Sequence, residues 1–265
     1  MALKRSVKVG ASRWIWVVGG RPELWSGLGL LLLWEASSRI GLLDARFFPP
    51  PTVVLNTAFT FLLDPARQAD LIATLGRLGI GIAIGAVPGI VLGLAMGISM
   101  TLRLVLDPLV SVLNALPKSA LFPLLLLIFG LGEGSRLAMV ALGVFIPVVV
   151  NSMEGVRSVE RVFFDVAKVF GASRYQVVRT VALPGSIPMV LTGLRLGTGM
   201  GVVLGVLAEM LSGKNGLGHI LWTSWQVFWV PGLFAALTYA GLIGILSAYL
   251  LDKVRLWVAP WAKGR

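Results

Sequence analysis

Side chains able to do chemistry are sparse in this sequence, and their types limit what that chemistry can be. The chain has no cysteine, which excludes disulfides, thiolate metal sites and cysteine nucleophiles. Its one histidine, His219, is too little for a His-based metal site or acid–base cluster. No catalytic residue, metal site or cofactor is therefore expected. What remains is charge. Lys118 sits between Pro117 and Pro123 at the approach to one apolar stretch, and Arg195 lies within another. Cations inside membrane spans are costly and face protein or water, so both are candidates to line a polar path, and attractants if what passes there is an oxyanion. The competing reading places Lys118 at the interface and lets Arg195 snorkel or pair with an acid near a helix end. The other polar feature is the run DVAKVFGASRYQVVRTVALP, residues 165–184, basic and helix-forming in an otherwise greasy chain.

The elements that must position these groups follow from composition. Of 265 residues, 57% are hydrophobic and only 13% charged, against about 25% charged in a soluble globule. The chain reads as an all-α integral membrane protein with about six transmembrane helices, since each crossing takes about 20 apolar residues. The spans fall at residues 24–43, 72–98, 109–129, 137–153, 187–211 and 232–251. Residues 1–23 form a basic tail, and no small-residue cleavage site follows the first apolar stretch, which reads as a retained anchor. Residues 24–71 hold the first helix and an extracytoplasmic segment, where three prolines interrupt the helix and a short amphipathic piece lies along the interface. Residues 72–252 form a core of five helices with a loop at 157–188, and 253–265 form a second tail. No length is left for a soluble catalytic domain.

The formal charge is +11. With the N-terminus inside, most of the 23 Lys and Arg fall in the two tails, at Arg103, and in the loop after the fourth span. That asymmetry obeys the positive-inside rule. Both termini and residues 165–184 therefore face the cytoplasm, the basic charge meets the anionic inner leaflet of the bilayer, and no nucleic acid is needed to explain it.

Two spans carry glycine at every fourth residue: Gly81, Gly85, Gly89, Gly93 and Gly97 in one, Gly193, Gly197, Gly201 and Gly205 in the other. That spacing lines them on one helix face, where a neighbouring helix can approach closely enough for dispersion contacts to hold in lipid. Pro88, inside the first ladder, predicts a local bend. On the far side of the membrane, Glu209 and His219 bracket MLSGKNGLG, a stretch that an external protein can reach. Trp222, Trp225 and Trp229 suit an interfacial belt.

The polar run resolves into two short helices. Phe163, Val166, Ala167 and Phe170 recur at helical spacing over residues 159–170. Gly171 can take positive φ and end that helix. Ser173 is an N-cap for a second helix over 174–181, whose Val177, Val178 and Val181 make an apolar face beside Arg174 and Arg179. Pro184 and Pro188 mark the turn into the fifth span.

At these residues the sequence resembles the cytoplasmic signature of binding-protein-dependent ABC importer permeases, written EAA-x3-G-x9-I-x-LP. Asp165 to Ala167 stand for EAA, Gly171 is the glycine, Val181 stands for the isoleucine, and Leu183 and Pro184 close the motif; the first two letters depart, Asp for Glu and Val for Ala. The segments LPKSALFPLLLLIFGLGEGSR and VLAEMLSGKNGLGHIL are similar to those of the sulfonate, taurine, nitrate and bicarbonate group. The resemblance implies a multi-pass inner-membrane permease for a small anionic solute of the sulfonate, taurine, nitrate or bicarbonate type, with aromatic and heterocyclic compounds left open. It implies three partners: a second permease subunit, taken as a homodimer; a cytoplasmic ABC ATPase dimer; and an extracytoplasmic solute-binding protein. It makes Asp165, Ala167, Gly171, Ala172, Ser173, Arg174, Arg179, Leu183 and Pro184 the ATPase-coupling loop. The absence of any GxxxxGK[ST] phosphate loop fits a chain that borrows its ATPase. Two other classes stay open. A secondary transporter would need ion-binding acids in mid-span and repeated halves, and an intramembrane enzyme would need a catalytic constellation within the spans.

Overall fold

The computed structural model describes residues 22–262. The expected basic tail at 1–23 lies almost wholly outside the described residues, as do Lys263 and Arg265. Every regular element among the described residues is helical. The chain divides into two units, residues 1–56 and 57–265.

In the first unit, α1 (Pro22–Arg39) ends two residues before Gly41, whose φ of 79° turns the chain. The segment after it is held by side chains. Ser38 Oγ donates to the Phe48 carbonyl at 2.8 Å. Thr52, at the start of α2 (Pro51–Leu63), donates its amide to Glu35 Oε2 at 3.0 Å and its hydroxyl to Oε1 at 2.8 Å. A carboxylate thus caps a helix start that has free amides and a positive dipole end.

The second unit is organised by three long helices. α3 (Pro65–Ile98) starts at Asp64, whose side chain accepts from the Ala66 amide, with Pro65 in the first turn. α6 (Glu133–Arg157) and α9 (Leu183–Ser212) follow. At about 1.5 Å per residue each exceeds the ~30 Å hydrocarbon. The contacts at successive glycines fix the directions. Gly81 meets Val140 and Gly97 meets Val156, so α3 and α6 run parallel. Gly193 meets Asn151 and Gly205 meets Val140, so α9 runs antiparallel to both. The core follows these contacts: Leu78, Ala86, Val140, Val144, Val148 and Val202 form one buried cluster.

Between α3 and α6 the expected single span over 109–129 is two helices. α4 (Met100–Ala115) is separated from α3 by Ser99 alone, which caps it by accepting from the Leu102 amide. After Leu116 the chain turns through 95° into Lys118–Leu121, a short 3₁₀ turn, and α5 (Phe122–Phe129). The cause is Pro117. The residue before a proline is pushed out of the helical region, and Leu116 is extended at φ −66°, ψ 138°. Hydropathy averages across such a break; backbone sterics do not. Gly130, at φ 74°, ends α5.

After α6 come α7 (Arg161–Val169) and α8 (Arg174–Val177). The expected turn at Pro184 and Pro188 is absent. α8 continues through a π turn, Val178–Ala182, directly into α9, and Leu183 donates to the carbonyl of Val178. The widened turn accommodates the proline ring and its missing amide at Pro184, so the helix absorbs the residue instead of stopping. α10 (Leu217–Gln226) and α11 (Val230–Val258) complete the unit, with Phe61, Leu217, Ile220, Ala235 and Ala236 buried together. Four helical stretches are long and apolar enough to cross a membrane, and the α4–α5 bent pair makes a fifth. α1 does not meet that test among the described residues, because Glu23, Glu35 and Arg39 load its ends.

Candidate functional site

The polar elbow at 157–183 joins the last turn of α6 to the first turn of α9, so any force on it acts on both. Its shape comes from backbone rules. Gly171 sits at φ 70° and its amide donates to the Lys168 carbonyl at 2.9 Å, while the Ala172 amide reaches back to Ala167 at 3.0 Å. This paired ending demands a left-handed residue at position 171. A methyl group there would meet nothing within 4 Å, so conformation alone selects glycine. Ser173 then opens α8: its Oγ accepts from the Gln176 amide at 3.3 Å and its own amide donates to Gln176 Oε1 at 2.7 Å, a reciprocal capping box. Arg174 and Arg179 are exposed, as is Asp165, and Ala167 is partly buried.

α7 buries none of its residues. Val162 is 54% exposed, Val166 49% and Val169 85%, on one side of the helix, with Phe163 and Phe170 beside them. An amphipathic helix with an uncovered apolar face is suited to a partner's groove.

From the elbow the three-helix unit is backbone-tight. A methyl at Gly155 would stand 2.9 Å from the Ser186 carbonyl, and one at Gly185 would stand 2.5 Å from Val159 Cγ2. Along α3 the same test gives 2.6 Å to Val140 at Gly81, 3.1 Å to the Phe145 carbonyl at Gly89 and 2.6 Å to Val156 at Gly97; at Gly85 and Gly93 the obstruction is the backbone of Ala141 and Val149. Along α9 it gives 2.7 Å to Asn151 at Gly193, 2.9 Å to the Val144 carbonyl at Gly197, 3.0 Å to Val144 at Gly201 and 2.8 Å to Val140 at Gly205. α6 is therefore clasped between two glycine faces.

The end of this unit farthest from the elbow holds a polar network that local sequence patterns do not reveal. Glu209 on α9 is 1% exposed. Its carboxylate accepts from Arg77 Nη1 at 2.6 Å, from Thr74 Oγ1 at 2.9 Å and from the Gly218 amide at 3.0 Å. Arg77, itself buried, forks onto Glu133 at 2.7 and 2.8 Å and onto Asn215. Arg136 bridges Glu133 at 2.9 Å and the Ser212 carbonyl at 2.7 Å. The signal available beforehand was the bare presence of Arg77 and Glu209 within apolar ladders, since such charges are normally paired.

The two expected path cations part company. Arg195 donates to Asp252 at 3.0 Å, and both side chains are about half exposed. Lys118 is 9% exposed at the α4–α5 break, and its ammonium donates to the Asn114 carbonyl at 3.3 Å. Among the described residues no carboxylate lies within ion-pair distance of Lys118. His219 is half-buried on α10, and Trp222 packs on Trp225 at 5.0 Å between centroids. Trp229 and Phe61 both face the Arg67 guanidinium.

Residues 89–263 match the family described as binding-protein-dependent transport system inner membrane component. The taurine transport system permease protein TauC of Escherichia coli K12 is 32% identical over 94% of this chain and 93% of its own length. The riboflavin transport system permease protein RibX of Chloroflexus aurantiacus is 31% identical over 89% of this chain and 91% of its own. In fold, a chain of the inward-facing MetNI methionine ABC transporter superposes with a TM-score of 0.62 at 17% identity, covering 70% of this chain and 92% of the other.

Proposed function

The chain belongs to the binding-protein-dependent transport system inner membrane component family, as a multi-pass permease subunit of an ABC importer, and from that membership we propose how it works and what it carries. The chain crosses the inner membrane six times, with α1 as the first crossing, α4–α5 as a broken third, and both termini in the cytoplasm. The elbow at 157–183 is the piece that docks on a separate cytoplasmic ATPase dimer. A second copy of the chain closes the pathway, and an extracytoplasmic binding protein delivers the solute to the opposite face.

One observation carries this reading: the uncovered apolar side of α7 stands on a loop whose two ends are the ends of α6 and α9. A partner that grips α7 moves both helices at once. Asp165, Arg174 and Arg179, all exposed on the same elbow, offer charges to acidic and basic groups on the partner, or to phospholipid.

The cargo is a small organic oxyanion of the sulfonate or taurine type. Lys118 supports this, as a buried ammonium beside a broken span, within ion-pair distance of no carboxylate among the described residues, where a cation favours negative charge. The similarity to the taurine permease agrees with it. Arg195 contributes less to attraction, because Asp252 engages its charge. The decisive experiment reconstitutes the chain with its ATPase and binding protein in proteoliposomes and follows labelled taurine. Uptake that requires ATP and the ATPase supports the reading; uptake that persists without the ATPase and stops when ion gradients collapse would replace it with a secondary transporter.

A further inference from the structure

The buried network at the far end of the three-helix unit has no part in docking the ATPase, yet it is built to a tighter standard than the elbow. It holds the short loop 213–216 and the first turn of α10. Three successive amides at that helix start each meet a side chain from another helix. Gly216 N donates to Asp70 Oδ1 at 2.7 Å, Leu217 N to Thr74 Oγ1 at 2.9 Å, and Gly218 N to Glu209 Oε2 at 3.0 Å. Two carbonyls beside these amides are held as well: Arg77 reaches that of Asn215 in the loop at 3.3 Å, and Arg136 reaches that of Ser212, the last residue of α9, at 2.7 Å. Gly216 sits at φ 105°, and a methyl group there would stand 2.5 Å from the Glu209 carboxyl carbon and 2.7 Å from Arg77 Nη1. Carboxylates at a helix start are favourable, and here they come from α3 and α9, the two helices whose glycine faces clasp α6.

From these contacts we infer that Arg77 and Glu209 are positioning residues, which make loop 213–216 and the start of α10 ride on the same rigid unit as the elbow. The glycine contacts leave α3, α6 and α9 no room to slide along one another. The elbow enters this unit at one end, and the buried pair fastens the receptor-facing loop to it at the other. A displacement imposed by the ATPase therefore reaches the outer loop as one movement, and a load placed on that loop by the binding protein is felt at the elbow. This rests on the proposed coupling role of the elbow.

The chain has no cysteine, so spin labels can be placed cleanly in the full complex. Ser158→Cys and Lys214→Cys, both at exposed positions, mark the two ends of the unit, and the labelled chain is diluted into unlabelled chain so that distances are read within one subunit. The intramolecular distance is expected to be the same in nucleotide-free and vanadate-trapped complex. In Glu209→Gln the distribution should about double in width, and stimulation of ATP hydrolysis by the binding protein should fall about tenfold while unstimulated hydrolysis holds. A merely structural role would lower both hydrolysis rates together. Arg77→Lys, which keeps the charge and loses the fork, should broaden the distance in the same way and serves if Glu209→Gln does not fold. A wild-type distance that shifts on trapping, or a narrow distance in both variants, overturns the inference. Failure of the chain to bind an ATPase would instead sink the coupling role, and the broadening is still read on the isolated permease.

Discussion

Arg77 on α3 and Glu209 on α9 are 132 residues apart in sequence and 2.6 Å apart in space, with both side chains removed from solvent. Breaking a buried pair from one side strands a charge in low dielectric, which costs about 3–5 kcal/mol, whereas replacing both partners by apolar residues of similar volume is often neutral. Glu209→Leu and Arg77→Met should each lower unfolding stability in detergent by about that amount. The double replacement Arg77→Met/Glu209→Leu should cost less than the sum. Strictly additive losses in the double-mutant cycle would show that the two side chains do not act as a pair.

The glycine faces make a graded prediction within one helix. Gly93→Ala places a methyl against the Val149 backbone and 2.7 Å from Ser152 Cβ, while Gly76 and Gly79 have nothing within 4 Å. Backbone cannot yield as a flexible side chain can, so overpacking at Gly93 should cost about 1–3 kcal/mol or more. Gly76→Ala and Gly79→Ala should be neutral or stabilise by up to ~1 kcal/mol, because alanine is the better helix former. Melting temperatures of the three purified variants decide it, and equal effects at all three would mean that the ladder is not a contact surface.

How much of this was legible beforehand depends on the range of each interaction. The ladders and the Gly171–Ser173 junction are local: spacing of four defines a helix face, and a glycine followed by a Ser cap defines a helix end and a helix start. Those features needed no tertiary information. The break in the third span is hidden by the run of apolar residues over 109–129, because the effect of Pro117 on Leu116 is a one-residue steric matter that averaging erases. Pro184 errs in the opposite sense, since a π turn lets the helix take in a residue that ordinarily stops one. The Glu209 network was invisible because its partners come from α3, α6 and the loop after α9. Nothing in local sequence spacing links them.

Lys118 can be tested through the split between binding and turnover. If its ammonium attracts the oxyanion on the way through, Lys118→Gln should raise the KM for taurine uptake about tenfold, or ~1.4 kcal/mol, with the maximal rate nearly unchanged. Arg195→Gln should change KM far less, since that guanidinium already answers Asp252 at 3.0 Å. Transport assays across a range of taurine concentrations give both numbers. An unchanged KM in Lys118→Gln would remove the residue from the path.

Gly171 offers the sharpest test of the elbow, because its requirement is conformational and its surroundings are open. At φ 70° a side chain is strained, and a non-glycine residue in that region costs about 1 kcal/mol, too little to unfold a chain held by the three-helix clasp. Gly171→Ala should therefore insert normally, melt within a few degrees of the parent, and lose part of its uptake as the angle between α7 and α8 changes. Gly171→Lys adds bulk and charge where a partner must approach, and should abolish uptake while the ATPase continues to hydrolyse ATP. The measurement is the ratio of solute imported to ATP hydrolysed in proteoliposomes. If that ratio is unaltered in Gly171→Lys, the elbow does not transmit force to α6 and α9, whatever its resemblance to a docking loop.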